Sequence, residues 1–203
     1  MADHYVLVDG LRLPAKLSGH PALDFCNTLA GWDGNEPWDY LQSYEHLAAW
    51  TGFAELLPDE RIAALRRQAR ERGIAAAAVL DQARAFRGRL YDVLHTGPSA
   101  QSFASVADNV NAAAGRLRLC RRDDAIDWEI APQAGLAAPI DAVAWSAGEL
   151  LTSGDISFVQ TCPGHACGWL FLDRRGRRRW CTMTTCGNRE KVRRFASRQR
   201  GTA

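Results

Sequence analysis

Four of the six cysteines fall in one short stretch as two equal pairs, Cys162-x4-Cys167 and Cys181-x4-Cys186, separated by thirteen residues. Close cysteine pairs in a reducing compartment read as metal ligands before they read as disulfides. Zinc takes four sulfur or nitrogen ligands in a tetrahedron, with sulfur about 2.3 Å from the metal. Four thiolates leave no coordination position for a substrate or a reactive water, so the chemistry expected is one structural Zn2+ and no catalytic residue around it. His165, between Cys162 and Cys167, offers the alternative fourth ligand, in a set of three cysteines and one histidine. Cys26 and Cys120 lie far from the pairs on apolar stripes and read as core residues.

The segments around the pairs must position those sulfurs. Pro163-Gly164-His165-Ala166, with Gly168 beyond, gives a knuckle whose backbone can bend. Trp169-Leu170-Phe171-Leu172 reads as a strand, Arg174-Arg175-Gly176-Arg177 as its turn, and Arg178-Arg179-Trp180-Cys181 as a returning second strand. The second pair leads into a helix with Val192, Phe195 and Met183 as its apolar positions. Knuckle, hairpin and a helix carrying the last ligand describe a treble-clef-like finger.

Three runs carry a resemblance. Cys167-Gly168-Trp169-x-Phe171-x-Asp173, Arg179-Trp180-Cys181-x-Met183 and Cys186-Gly187-Asn188-Arg189-x-Lys191 together closely resemble the CGNR zinc finger family. Upstream, Leu23-Asp24-Phe25-Cys26-Asn27-Thr28-Leu29 resembles the opening of the helical ABATE domain, which accompanies this finger in bacterial proteins described as stress-induced transcription regulators. The resemblance implies a DNA partner. Arg174-Arg175 departs from the small polar residue expected in that turn.

The fold class expected is mainly α with small β elements, an ABATE-like helical domain over residues 1–155 and the finger over 156–203. Residues 5–13 suit a short hairpin across Asp9-Gly10. Helices are expected from Pro21 toward Gly31, from Tyr40 to Gly52, from Pro58 to near Gly73, over the long stripe of Val79, Ala83, Phe86, Leu90 and Val93, from a Ser99 cap to Gly115, and from Pro139 to Thr152. Between the last two, residues 116–121 and 126–130 alternate as a hairpin, although the spacing does not settle whether Leu117, Leu119, Trp128 and Ile130 share a face.

Charge divides the chain in the same way. From Thr161 onward eleven Lys/Arg face two acids, a net of +9, whereas residues 1–160 hold 14 basic and 21 acidic residues, a net of −7. A basic tail meets an anion. The candidate nucleic-acid contacts are Arg174, Arg175, Arg177, Arg178 and Arg179 in the turn, and Asn188, Arg189, Lys191, Arg193 and Arg194 at the start of the last helix. There, unpaired N–H groups and a positive dipole end favour phosphate. Asn188 is alternatively a backbone cap, and Arg189 alternatively packs on Trp169 or Trp180. No segment approaches a membrane span, and the first residues lack a secretory signal, so a cytoplasmic protein is expected.

Nothing in the first 160 residues assembles a catalytic set, and an enzyme is not expected. His20, Asp24, Asn27 and Trp32 are the candidates for a pocket that takes a small-molecule effector. The helical part is expected to sense a signal or to form a homodimer. Rival readings are a finger that docks a protein or RNA, and a redox sensor that releases zinc on thiolate oxidation.

Overall fold

The computed structural model describes residues 4–122 and 125–200. The chain opens with strand β1 (Tyr5–Val8) paired antiparallel to β2 (Leu11–Pro14). Asp9 and Gly10 in the turn both take positive φ, 51° and 77°, the left-handed pair that a two-residue hairpin requires.

Helix α1 (Pro21–Cys26) is shorter than its periodicity predicts. The Thr28 hydroxyl donates to the Phe25 carbonyl at 2.7 Å and closes the last turn. Leu29 and Ala30 leave as strand β3 (Leu29–Ala30), paired with β4 (Trp38–Asp39) across the Gly- and Asn-rich loop. Helix α2 (Tyr44–Phe53) begins later than expected. Tyr40 donates its amide to the Thr28 carbonyl at 2.8 Å and Leu41 donates to the Asp39 carboxylate at 2.9 Å, which holds both residues outside the helix.

Helices α3 (Asp59–Glu71), α4 (Gly73–Thr96) and α5 (Ala100–Ala114) follow. Helix α4 starts well ahead of its apolar stripe. The Ser99 hydroxyl caps α5 by accepting from the Ser102 amide at 3.1 Å. Strands β5 (Leu117–Arg122) and β6 (Ala125–Ile130) form the second hairpin, whose turn residues Asp123 and Asp124 lie outside the described residues. Its register sets Leu117 opposite Ile130 and Leu119 opposite Trp128, so these four share one face.

Helix α6 (Ala138–Thr152) completes the helical part. Its small residues let α5 approach closely: a Cβ on Gly148 would lie 2.7 Å from the Val110 side chain. Leu23, Phe25, Trp50, Phe86, Leu90, Val143 and Leu150 fill the core among α1, α2, α4 and α6. Large apolar side chains of this kind contribute about 1.5–3 kcal/mol each on burial. Buried Arg87 reaches from α4 to the Asp39 carboxylate at 2.6 and 2.8 Å and to the Thr28 hydroxyl at 2.9 Å, fastening the β3–β4 loop.

The finger departs from its expected layout. Strand β8 (Leu170–Leu172) pairs with β7 (Val159–Thr161), on the far side of the first cysteine pair, and residues 178–181 form no strand. Both edges of β8 are already occupied. Its second edge bonds to the helical part, with the Leu172 amide donating to the Ser18 carbonyl at 2.8 Å and Leu170 held by Asn27. The returning chain is held instead by Asp173, whose carboxylate accepts the amides of Arg177 and Arg178 at 2.9 and 3.0 Å. A π-helical turn, Met183–Gly187, then leads into α7 (Asn188–Arg200).

Candidate metal centre

Alternation along β8 builds the site. Leu170 and Leu172 face the helical core, whereas Trp169 and Phe171 join Tyr40 and the four cysteines in a second, smaller cluster. Cys162, Cys167, Cys181 and Cys186 are all buried, and their sulfurs lie within 4.8 Å of one another. Cys167 and Cys181 are 3.8 Å apart, and Cys181 and Cys186 are 3.5 Å apart. A tetrahedron of sulfurs about 2.3 Å from a central ion has edges of about 3.8 Å, so the four fit one zinc ion. His165 is exposed and outside the cluster.

The surroundings are shaped to the sulfurs. A Cβ on Gly164 would lie 3.2 Å from the Cys186 sulfur and 3.4 Å from that of Cys162. Gly168, at φ +66°, passes so close to the helical part that a Cβ would fall 2.6 Å from Trp32. Hydrogen bonding from Cys167 and Cys181 lowers the Cys162 thiol to about 7, whereas its bond with Cys162 raises Cys167, and bonds with Cys162 and Cys167 raise Cys181. Four sulfurs at this spacing carry their full negative charge only around a cation.

One neighbour is hidden in the sequence. His4 brings Nε2 to 3.8 Å from the Cys186 sulfur and Nδ1 to 3.3 Å from the Thr185 hydroxyl, and its ring lies 4.9 Å from that of Trp169. It reaches the site because the β1–β2 hairpin packs beside the finger. With Arg12, Trp38, Trp169 and Arg189 it lines a cavity of about 130 Å³ beside the ligands. A histidine 158 residues before the first ligand carries no spacing signal.

The helical part holds the finger through backbone carbonyls. Tyr91 donates to the Gly168 carbonyl at 2.8 Å, Trp169 Nε1 to the Leu29 carbonyl at 3.0 Å, and the Trp32 amide to the Cys167 carbonyl at 3.2 Å.

The four residues expected to line an effector pocket serve this framework. His20 caps α1, its Nδ1 accepting from the Ala22 amide at 3.2 Å. Asp24 accepts the amides of Leu17 and Ser18, each at 3.0 Å. Asn27 grips Leu170, and Trp32 stacks on Tyr91 at 3.7 Å. They are spread along α1 and its flanks, each with a structural partner of its own, and none lines the cavity beside the cysteines.

The basic residues divide in two. Arg178 donates to the carbonyls of Leu17, Leu172 and Cys181 and lies over the Phe171 ring, so it is part of the framework. Arg174 is paired with Asp155, and Arg179 lies over Trp180. Arg175 and Arg177 are exposed in the turn, and Asn188, Arg189, Lys191, Arg193 and Arg194 are exposed on α7. Asn188 also donates to the Thr184 carbonyl at 3.1 Å, the capping role that is one of its two readings. Val192, Phe195 and Met183, read from sequence as the helix's apolar positions, are 69%, 65% and 50% exposed: the first two lie on α7 and Met183 lies in the π-helical turn before it.

An α-helical domain fused to a four-cysteine zinc finger defines the class of protein. Residues 19–154 match the ABATE family, described as "Putative stress-induced transcription regulator", and residues 159–199 match the CGNR zinc finger. The chain belongs to the ABATE family and carries a zinc-binding CGNR finger. No curated protein matches it. No helix among the described residues is long and apolar enough to cross a membrane.

Proposed function

We propose that the chain is a DNA-binding transcription regulator without catalytic activity, in which the finger presents α7 to duplex DNA inside the cell. The observation that carries this reading is the exposure of α7: from Asn188 to Gln199 every residue except Glu190 and Ala196 is exposed. The helix holds six Lys/Arg against the single acid Glu190. Arg193 and Arg194 share that acid, each at 3.5 Å, and Arg189 and Lys191 have no ion-pair partner among the described residues. At about 1.5 Å per residue it is about 20 Å long, and its diameter of about 10–12 Å suits a major groove about 12 Å wide.

Zinc supplies rigidity: it ties the π-helical turn before Asn188 to the knuckle and so fixes the direction in which α7 leaves the body. Arg175 and Arg177 in the turn add phosphate contacts on the same module. The family description supports the regulatory part of the reading.

The test is fluorescence anisotropy on random-sequence duplex DNA across a salt series. Binding is expected to fall with salt at a log–log slope of about −0.9 per phosphate contact, and Arg189→Ala/Lys191→Ala is expected to flatten that slope. Binding that ignores salt, or that survives both substitutions unchanged, would overturn the assignment.

A further inference from the structure

Phosphate does not account for Val192 and Phe195. A basic helix that also shows two large apolar side chains to water suits a surface that is both acidic and aromatic, and the helical part contains one. Between the end of α2, the start of α3 and the β5–β6 hairpin lies a cleft of about 790 Å³, within the size range of sites that bury a sizeable ligand, about 300–1,000 Å³. Its apolar wall includes Ile130, Trp128 and Trp145, the two indoles 6.5 Å apart with Trp128 51% exposed. Its rim carries Asp59, Glu60 and Asp127, all exposed. Arg61, also at the cleft, directs its guanidinium to the Ala131 and Pro132 carbonyls, so these three acids outnumber it at the rim.

We infer that this cleft receives helix α7 of a second copy of the chain. Each copy then offers one basic amphipathic helix and one acidic tryptophan-lined cleft, and the two surfaces complement each other in charge and in apolar character. Phe195 and Val192 enter beside Trp128 and Trp145, and the Lys/Arg of α7 face Asp59, Glu60 and Asp127. A pair of copies related by a twofold axis makes this contact twice, as isologous dimers do. Charge complementarity across the contact makes association weaken as salt rises. Because the helix is the one proposed to meet DNA, self-association and DNA compete for α7; the pairing itself does not depend on DNA binding.

The test is sedimentation velocity on the full-length, zinc-loaded protein without DNA, at high protein concentration and low salt. Val192→Glu/Phe195→Glu alters the helix and Asp59→Lys/Asp127→Lys alters the cleft. All four positions are exposed, and circular dichroism confirms folding. The wild type is expected to dimerise and each variant to weaken the dimer about tenfold or more. An equimolar mixture of the two variants is expected to recover dimer, because one keeps an intact cleft and the other an intact helix. A monomeric wild type would overturn the inference. So would a cleft variant that still dimerises, which would mean that α7 pairs with itself, or a mixture that does not recover.

Discussion

Asn27 and Leu170 lie 143 residues apart in the chain and exchange two hydrogen bonds: Asn27 Nδ2 donates to the Leu170 carbonyl at 2.9 Å, and the Leu170 amide donates to Asn27 Oδ1 at 2.8 Å. Both residues are buried. A side-chain amide thus stands where a neighbouring strand would, and it closes the free edge of the finger's strand with the residue that ends α1.

Asn27→Ala is therefore expected to leave a buried N–H and a buried carbonyl unpaired and to cost about 2–6 kcal/mol, at about 1–3 kcal/mol for each orphaned group. Asn27→Asp is expected to be destabilising as well, since a carboxylate accepts from the Leu170 amide but repels the Leu170 carbonyl. Urea unfolding followed by tryptophan fluorescence checks both. Loss below about 1 kcal/mol in Asn27→Ala would mean that water replaces the pair.

The zinc centre is legible from the cysteine spacing, because ligand geometry is local and its residue types are few. The long α4 and the Ser99-capped α5 are legible too, since an apolar stripe with a stop at Gly97-Pro98 is a strong signal. The pairing of β8 is not. Of the strand expected over Trp169 to Leu172, residues 170–172 form one, but its partners are β7 upstream, the Ser18 carbonyl and the side chain of Asn27, and no periodicity encodes a side chain acting as a strand. Similarly, Arg178 looks like its neighbours Arg177 and Arg179 in sequence and differs from them only through the carbonyls that three separate segments point at it. His4 escapes a reading by spacing for the same reason.

Metal analysis is expected to return one zinc per chain. Cys186→Ser is expected to lower affinity sharply and, with it, the order of α7, which follows that ligand directly. Each ligand binds as thiolate, so zinc competes with protons and affinity falls as pH falls. A competitive chelator titration between about pH 8 and pH 6, read by absorbance, measures this. A pH-independent affinity would contradict a four-thiolate site.

His20 gives a second pH dependence, with a sign that follows from its role. Burial, the largest influence, holds its pKa below the ordinary value; Asp155 pulls it up and Arg174 pushes it down. The cap needs a neutral ring, since Nδ1 accepts from the Ala22 amide. A group whose folded pKa is lowered stabilises the fold above its unfolded value and loses that contribution as pH falls through the folded value. Stability is thus expected to decline below about pH 6.5, by up to the worth of a helix cap, about 1 kcal/mol. His20→Asn keeps a capping side chain without a titrating ring and is expected to remove this part of the slope. Thermal melts of both proteins from about pH 7.5 to pH 5 decide it, and parallel curves would refute the role.

Arg177 and Arg178 are adjacent and chemically identical, yet opposite outcomes are expected on truncation. Arg178 spans three backbone carbonyls at 2.6 to 3.3 Å and covers Phe171, and hydrogen bonds to a charged donor contribute about 1.5–3 kcal/mol each. Arg178→Ala is expected to cost several kcal/mol of stability, and Arg178→Lys to recover little, because a single ammonium cannot reproduce the planar fork. Arg177 is exposed, and its backbone amide rather than its side chain serves Asp173. Arg177→Ala is expected to change stability by no more than about 0.5 kcal/mol while reducing the salt slope of DNA binding by about 0.9. Measuring unfolding and DNA affinity on the same two variants separates the arginine that builds the finger from the one proposed to contact DNA. Equal effects on both properties would show that the turn acts as one unit.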